Sequence, residues 1–415
     1  MSDQDPTLPL SGLNVLEIAH YIAGPYAAQI LGDQGATVVK VEPPAGEPGR
    51  RALPVNPDGE SLYYASYNRN KKNVSLDLRK PESRIVLDGL IKWADVVLTN
   101  YSPGVPEKLG FGWDQVHQLN PAAVMVFISG FGTYSSLSDY VAFDGIVTAM
   151  SGIADMTGDP DGPPYIGNVL LGDHTTALQA AMAATTALHL RQRTGEGSYV
   201  EVSMIRSLAS LLGDHVPARA TLGQEPRRRG NQSSLRFGNV FPTADGYVVI
   251  SPITVTMWKT FCDVLGRPEW GTEQIVVERR HVKDKEFRAE IEQATRDWMS
   301  ARTSQEALEL MQGLGIPTGA VKSISQVCDD DERMDLRLFE DVELLGGGKA
   351  RVLGRVFDWD GGDSEGTFTN RLSGLGADGA SVLEGLGLSP DAIAALVEAG
   401  AVHGVRPPTM TGSGA

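Results

Sequence analysis

Cysteine is nearly absent. Cys262 and Cys328 are the chain's two, far apart and in no C-x-x-C pair. That argues against a disulfide framework or a cysteine zinc site and fits a reducing compartment. Basic residues are also in deficit, with 36 Lys and Arg against 52 Asp and Glu and a formal charge of −16. Nucleic acids and anionic membranes reward the opposite balance, so neither is expected as a main partner. The N-terminal stretch MSDQDPTLPL lacks the basic and apolar regions of a signal peptide, and no apolar run reaches the ~18 residues of a membrane span. The expectation is a cytoplasmic protein. The seven histidines form no H-E-x-x-H and no pair at metal-ligand spacing, so no metal is expected. A G-x-S-x-G elbow and a G-x-x-x-x-G-K-[ST] phosphate loop are both missing. One formal G-x-G-x-x-G, Gly374–Gly379, follows no apolar strand and reads as an ordinary loop.

The chain does hold alternating strand and helix signals. Apolar runs at Asn14–Ala19, Thr37–Val41, Asn73–Leu78, Asp95–Leu98 and Val124–Ser129 are separated by helical stretches such as Tyr26–Asp33 and Pro81–Trp93. That order predicts right-handed βαβ units and a doubly wound, Rossmann-like parallel sheet. After an Ala-rich helix come a strand at Tyr199–Val202 and a polar linker holding Arg227, Arg228 and Arg229, whose charge run reads as a solvated face. Beyond it, PTADGYVVIS predicts a hairpin with its turn at Asp245–Gly246. Helical stretches near Met257–Leu265, Lys285–Ser300 and Gln305–Leu314 complete a smaller α+β domain. The acidic run Asp329–Glu332 reads as the start of a second connection. Helices at Ala380–Leu386 and Pro390–Gly400 lie in a tail that should return to the first domain, and Arg406–Ala415 reads as a frayed end. The division expected is 1–222 plus 328–415 for the large domain and 223–327 for the small one.

The chain is organised around Tyr165–Arg193, YIGNVLLGDHTTALQAAMAATTALHLRQR. A short apolar run turns at Gly172, presents Asp173 and enters an Ala-rich segment of high helix propensity. Asp173 is placed where a helix begins, either as its cap or as an ionised, exposed nucleophile steadied by the helix dipole. Local composition does not decide, because Gly213–His215 repeats the letters GDH of Gly172–His174.

Other candidate residues lie in loops at strand ends: His20–Pro25, Asn68–Arg79 and Asn100–Lys108. The second concentrates Arg69, Lys71, Lys72 and Arg79, a set suited to an anionic, nucleotide-like ligand although each is ordinarily a solvated side chain. Glu42 ends the second strand, where a ribose-binding acid would stand in a dinucleotide fold. The first strand, however, is followed only by Ala23–Gly24–Pro25, which weakens that reading.

Taken in order, AGPYAAQILGDQGATVVKVEPP, YNRNKKNVSLDLRKPE, ADVVLTNYSPGVPEKLG, NPAAVMVFISGFG, the GD of Gly172–Asp173 and RTGEGSYVEVS resemble the class III CoA-transferase family (CaiB/BaiF type). GIPTGAVKSISQV and VLEGLGLSPDAIAAL resemble its later landmarks. The resemblance implies an interlocked homodimer and a catalytic carboxylate at Asp173 rather than Asp214. The implied chemistry is CoA transfer from an acyl-CoA to a carboxylic acid through an aspartyl anhydride and an aspartyl-CoA thioester. No permanently bound cofactor is implied, since coenzyme A and acyl-CoA are substrates. The implied CoA contacts are Tyr21, Ile22, Ala23, Leu76, Asp77, Leu78, Arg79, Asn100 and Lys108. His20, Phe143, Asp144 and Gly172 are possible substrate or oxyanion contacts.

Departures narrow this expectation. Ile22 and Pro43 replace a Gln and a basic residue of some members, and the Gly-rich loop of formyl-CoA transferases has no counterpart between Pro226 and Thr256. A formyl or oxalyl substrate is therefore disfavoured against a larger or less polar acid. Racemases of the same fold place a second base, His, where Phe143 stands, and Phe cannot titrate. The alternatives to a transferase are an α-methylacyl-CoA racemase-like enzyme and a CoA-binding subunit without its own turnover.

Overall fold

The computed structural model describes residues 8–233, 236–357, 359 and 370–405. The expectation for Arg406–Ala415 lies outside them. The described residues fall into two compact units, one within Met1–Ile153, Ile166–Val216 and Arg337–Ala415, the other of Ala154–Tyr165 and Pro217–Leu336.

The first unit is built on six parallel strands: β1 (Asn14–Ile18), β2 (Thr37–Glu42), β3 (Lys72–Leu76), β4 (Val96–Thr99), β5 (Val124–Ser129) and β6 (Tyr199–Ser203). Their spatial order is β3-β2-β1-β4-β5-β6, with every neighbouring pair parallel. The chain winds outward one way from β1 through β2 and β3, then crosses back to β4, so the switch point lies between β1 and β4. The Val, Ile and Leu of β1 to β5, interrupted by Glu17, Lys40, Asn73 and Ser75, follow from burial on both faces. Val15, Val38, Val96, Leu98 and Val126 pack on one side with helices Ala23–Gly32 and Leu171–Thr194. Leu16, Val39, Val74, Val97 and Met125 pack on the other with helix Arg84–Trp93 and the tail helices. The long helix is Ala-rich because Ala177, Ala180, Ala184 and Ala187 recur at its three-to-four-residue period and are buried in that first cluster. Its outward side leaves Leu178, Met182 and Leu190 exposed.

In the second unit β7 (Asn239–Pro242) and β8 (Tyr247–Ile250) form the expected hairpin, and β9 (Thr318–Ala320) adds a third antiparallel strand to β8. Helices Val255–Val264, Lys285–Ser300 and Ser304–Gly313 supply Phe261, Ile291, Met299 and Met311 to its core. The acidic run is not a connection. Asp329–Glu332 lies inside helix Ile324–Met334, where buried Asp330 pairs with Lys322 and Arg333. Arg227 and Arg229 are exposed, but Arg228 is half-buried and binds Asp155 at 2.8 Å and the carbonyls of Asp155, Asp159 and Gly162.

The chain then returns to the first unit as a hairpin, β10 (Phe339–Glu343) with β11 (Lys349–Leu353). Helices Gly379–Gly385 and Pro390–Glu398 follow, and β12 (Val402–His403) closes the large sheet antiparallel to β3. The Gly374–Gly379 loop serves this closure. Gly376 N–H donates to Asn73 Oδ1, and Asp378 accepts from Asn73 N–H.

Candidate active site

The loop after β1 is held from two sides. The Asn100 side chain, just past β4, accepts from His20 N–H at 3.0 Å and donates to His20 O at 2.8 Å. Glu47 accepts from the N–H of Tyr21, whose φ is 62°. Gly24, the second residue of helix Ala23–Gly32, packs so near the end of β1 that a Cβ there would fall 2.5 Å from Ala19 Cβ. Beneath the loop lies a buried charge cluster. Lys40 meets Glu17 at 2.6 Å and Glu47 at 3.3 Å, and Lys71 meets Glu17 at 2.7 Å. Burial lowers the Lys71 pKa to about 8 against the opposing pull of Glu17. Arg69 is buried against Asp33 at 2.6 Å.

These contacts correct the reading of Arg69 and Lys71 as phosphate-facing cations, since both are consumed inside the fold. Glu42 is likewise no ribose ligand. It is buried and binds Arg50, Tyr64, Asn73 and the N–H of Glu47. Burial would raise its carboxyl, but Arg50 and Lys40 bring it down to about 2.

The carboxylate at the start of the long helix is neither a cap nor freely ionised, in contrast to the expectation. Leu170 is the N-cap, so Asp173 is the third helical residue, and it is half-buried. Its own N–H donates to Asp144 Oδ2 at 2.9 Å, from the first turn of helix Asp144–Met150. Gly172 eases this approach, because a Cβ there would crowd it, sitting 3.1 Å from Asp144 Oδ2 and 3.3 Å from Leu208 Cδ1. Burial, then the neighbouring Asp144 charge, raises the Asp173 carboxyl to about 7. Both effects oppose putting a second negative charge in one low-dielectric place.

A second clasp holds the same turn. His174 Nδ1 lies 2.8 Å from Leu170 O, and a carbonyl only accepts, so Nδ1 carries the proton. His174 Nε2 then accepts from Tyr67 Oη at 3.2 Å. The Tyr67 hydroxyl is kept protonated, its pKa raised to about 12 by burial and by Asp173. Removing that hydroxyl in Tyr67→Phe is expected to lower kcat about three- to tenfold with KM little changed, because only the aim of Asp173 loosens. Steady-state kinetics with the best acyl donor reads the split.

Asp173 and Asp144 open into a cavity of about 520 Å³, lined also by His20, Tyr21, Ile22, Ala23, Tyr63, Asn100 and Phe143. It lies at the carboxyl ends of β1, β4 and β5, the switch point where doubly wound sheets bind ligands. Asp214 is exposed in the turn before helix His215–Leu222 and lines no part of this cavity. Gly172 stands behind the wall.

The remaining candidates lie outside. Leu76 is buried at the end of β3, Leu78 packs on the core, and Asp77 pairs with Arg79 at 2.8 Å. Lys108 is exposed on helix Val105–Leu109. Tyr63 was not foreseen. It stands in the tyrosine-rich SLYYASYN stretch, and burial and Asp173 together raise its pKa.

Fold and cavity define an α/β protein that presents a partly protonated carboxyl at a ligand-sized switch point. Residues 10–370 match the profile of CoA-transferase family III. The succinyl-CoA–D-citramalate CoA-transferase of Chloroflexus aurantiacus is 34% identical over 333 residues, 80% of this chain and 82% of that one. The succinyl-CoA:mesaconate CoA-transferase of Haloarcula hispanica is 34% identical over 346 residues, 81% and 86% of the two chains. Among solved structures, a CaiB/BaiF family protein from Brucella suis superposes with TM-score 0.79 at 26% identity, covering 91% of this chain and 99% of that one. The chain belongs to CoA-transferase family III, and it is a CoA-transferase.

Proposed function

We propose that the protein moves CoA from an acyl-CoA to a carboxylic acid through covalent intermediates on Asp173. The observation that carries this reading is a single one: the Asp173 carboxyl, at about 7, faces a 520 Å³ cavity at the sheet's switch point. A carboxylate Oδ of ionised Asp173 attacks the thioester carbonyl, the C–S bond breaks, and CoA leaves as thiolate. The thiolate attacks the Asp173 carbonyl of the resulting anhydride, expels the donor's carboxylate and forms the aspartyl-CoA thioester. The acceptor carboxylate repeats the exchange in reverse, and Asp173 is regenerated. Both leaving groups are stable anions, so no metal or redox step enters.

In this reading Tyr21, Ile22, Ala23 and Asn100 receive the thioester end of CoA. Exposed Arg79, on the Leu76–Arg79 stretch, and Lys108 are the proposed cations for its nucleotide end. A second copy of the chain, interlocked with the first, would cover the apolar side of the long helix at Leu178, Met182 and Leu190. Phe143 leaves a racemase without its second base. Among the described residues no helix is long and apolar enough to cross a membrane.

The test is trapping. Incubation with acyl-CoA and hydroxylamine should convert Asp173 alone to a hydroxamate, located by peptide mass spectrometry, with loss of activity. Label on another carboxylate, or none, would remove the proposal.

A further inference from the structure

A carboxylate outside the cavity holds part of its rim. Glu201 lies on β6, beside Phe127 of β5, and lines no part of the cavity itself. Its Oε1 accepts from Ser129 Oγ at 2.6 Å and from Thr133 N–H at 2.7 Å, and its Oε2 accepts from Thr133 Oγ1 at 2.6 Å. Gly132 N–H donates in turn to Ser129 Oγ at 3.1 Å, and Ile205 N–H to Gly130 O at 3.0 Å. An ionised carboxylate only accepts, so three donors aimed at one fix its place and their own.

What they fix is the root of the connection between β5 and helix Asp144–Met150. Ser129 and Gly130 line the cavity at the start of that connection, and Tyr140, Ala142, Phe143 and Asp144 line it at the end. The two ends touch, for a Cβ on Gly130 would fall 2.1 Å from Ala142 Cβ. Only glycine fits at 130, and the place of Ala142 follows that of Gly130. Two residues on, Asp144 Oδ2 accepts from Asp173 N–H at 2.9 Å, while its Oδ1 accepts from Thr148 Oγ1 at 3.3 Å. A line of contacts thus runs from Glu201 through Ser129, Gly130 and Ala142 to Asp144 and the Asp173 turn.

We propose that Glu201 is a positioning residue for the transfer reaction, holding the root of this connection so that Asp144 stays seated on the Asp173 turn. The proposal rests on Asp173 being the group that accepts the acyl chain. Asp173 is faced by Asp144 from one helix and by Tyr63 and Tyr67 from helix Leu62–Asn68, with His174 next to it on its own. His20 and Asp139 line the same cavity. Of these groups, Asp139 and Asp144 are carried by the clamped connection. Burial first, and the Asp144 charge second, raise the Asp173 carboxyl to about 7. Loosening the connection admits water and lets Asp144 recede, so both effects weaken and the carboxyl ionises at lower pH.

The experiment follows hydroxamate formation on Asp173 against pH in the full-length protein, with acetyl-CoA, isovaleryl-CoA, phenylacetyl-CoA and succinyl-CoA as donors. Glu201→Ala is expected to label about tenfold more slowly at pH 8, with the midpoint of its pH profile about one unit below that of the wild type. Glu201→Gln should recover to within about threefold, because the amide oxygen still accepts from Ser129 and Thr133 and the Thr133 hydroxyl turns to accept from the amide. Thr133→Val deletes one donor at constant size and carries the test should Glu201→Ala not fold. It should slow labelling about two- to threefold and move the midpoint the same way.

A wild-type rate in Glu201→Ala would overturn the proposal, and so would unchanged rate and midpoint in Thr133→Val. A slower rate with an unmoved midpoint would reduce Glu201 to a support of the fold, and Glu201→Gln as slow as Glu201→Ala would show that its hydrogen bonds are not what matters. Each of these results leaves the function of Asp173 standing. Failure of all four donors to label wild-type Asp173 would take down both.

Discussion

Asp173→Ala is expected to lose at least about 10⁴-fold in kcat, because removing a covalent nucleophile removes the pathway rather than weakening a contact. CoA binding, read by calorimetry, should survive, since the proposed cations Arg79 and Lys108 lie outside the cavity. Retained transfer at even a hundredth of the wild-type rate would exclude the covalent scheme. The same carboxyl predicts a pH profile. Only the ionised form attacks, and its pKa is about 7 rather than the ordinary 3.8. kcat/KM should therefore rise with pH through about 7 and fall about tenfold per unit well below it. Stability should move the other way. A carboxyl raised in the folded state stabilises the fold fully below its unfolded pKa, and that contribution is lost as pH rises through about 7. Asp173→Asn should consequently be more stable than the wild type at pH 8, by about 1–2 kcal/mol after allowing for solvent around a half-buried group. The difference should vanish toward pH 4. Urea midpoints at the two pH values check the sign, and a neutral or destabilised variant at pH 8 would contradict it.

Segments whose own residues carry the pattern of their element were legible in the sequence. Val124–Ser129 is a strand with the expected bounds, because both its faces are buried and every residue reports it. Lys285–Ser300 is a helix with the expected bounds, capped by Asp284, whose side chain accepts from Phe287 N–H. The hairpin β10–β11 went unread although its signal was present. Val342 and Leu344 alternate with polar residues before Gly346–Gly348, and Ala350 and Val352 alternate after it. The two residues of β12 carried no such signal, since their pairing with β3 exists only in the folded sheet.

The site divides in the same way. Asp173 could be placed near a helix start from the Gly-Asp turn and the alanines that follow. Its separation from Asp214 is tertiary, since the distinguishing neighbour, Asp144, arrives from another helix. The cations misled for the converse reason. Nothing within Asn68–Arg79 reveals that Asp33 and Glu17, on distant elements, bury and neutralise Arg69 and Lys71. A basic cluster in sequence states how many charges exist, and only the fold states which of them are already paired.

Those buried pairs carry the other large effect. Lys40 is fully buried, and its Nζ binds Glu17 at 2.6 Å, the carbonyl of Ala19 at 3.1 Å and Glu47 at 3.3 Å. Burial alone would lower its pKa, but the surrounding Glu17, Glu47 and Glu42 outweigh it and hold the ammonium well above its usual range. Lys40→Met keeps most of the volume and deletes the charge, leaving Glu17 with Lys71 and Glu47 with no lysine. Breaking one partner out of a buried pair costs about 3–5 kcal/mol, more than the pair itself is worth, because the remaining charge stays desolvated. A matching loss in the urea midpoint is expected, and a change under about 1 kcal/mol would refute the account. The double variant Lys40→Met with Glu47→Gln should recover part of that loss, which measures the coupling directly. The consequence reaches the cavity because Glu47 also accepts from Tyr21 N–H, and Tyr21 stands in the loop that carries His20 and Ile22. KM for acyl-CoA should rise in Lys40→Met even at temperatures where the protein stays folded, and an unchanged KM would separate the charge cluster from the site it underlies.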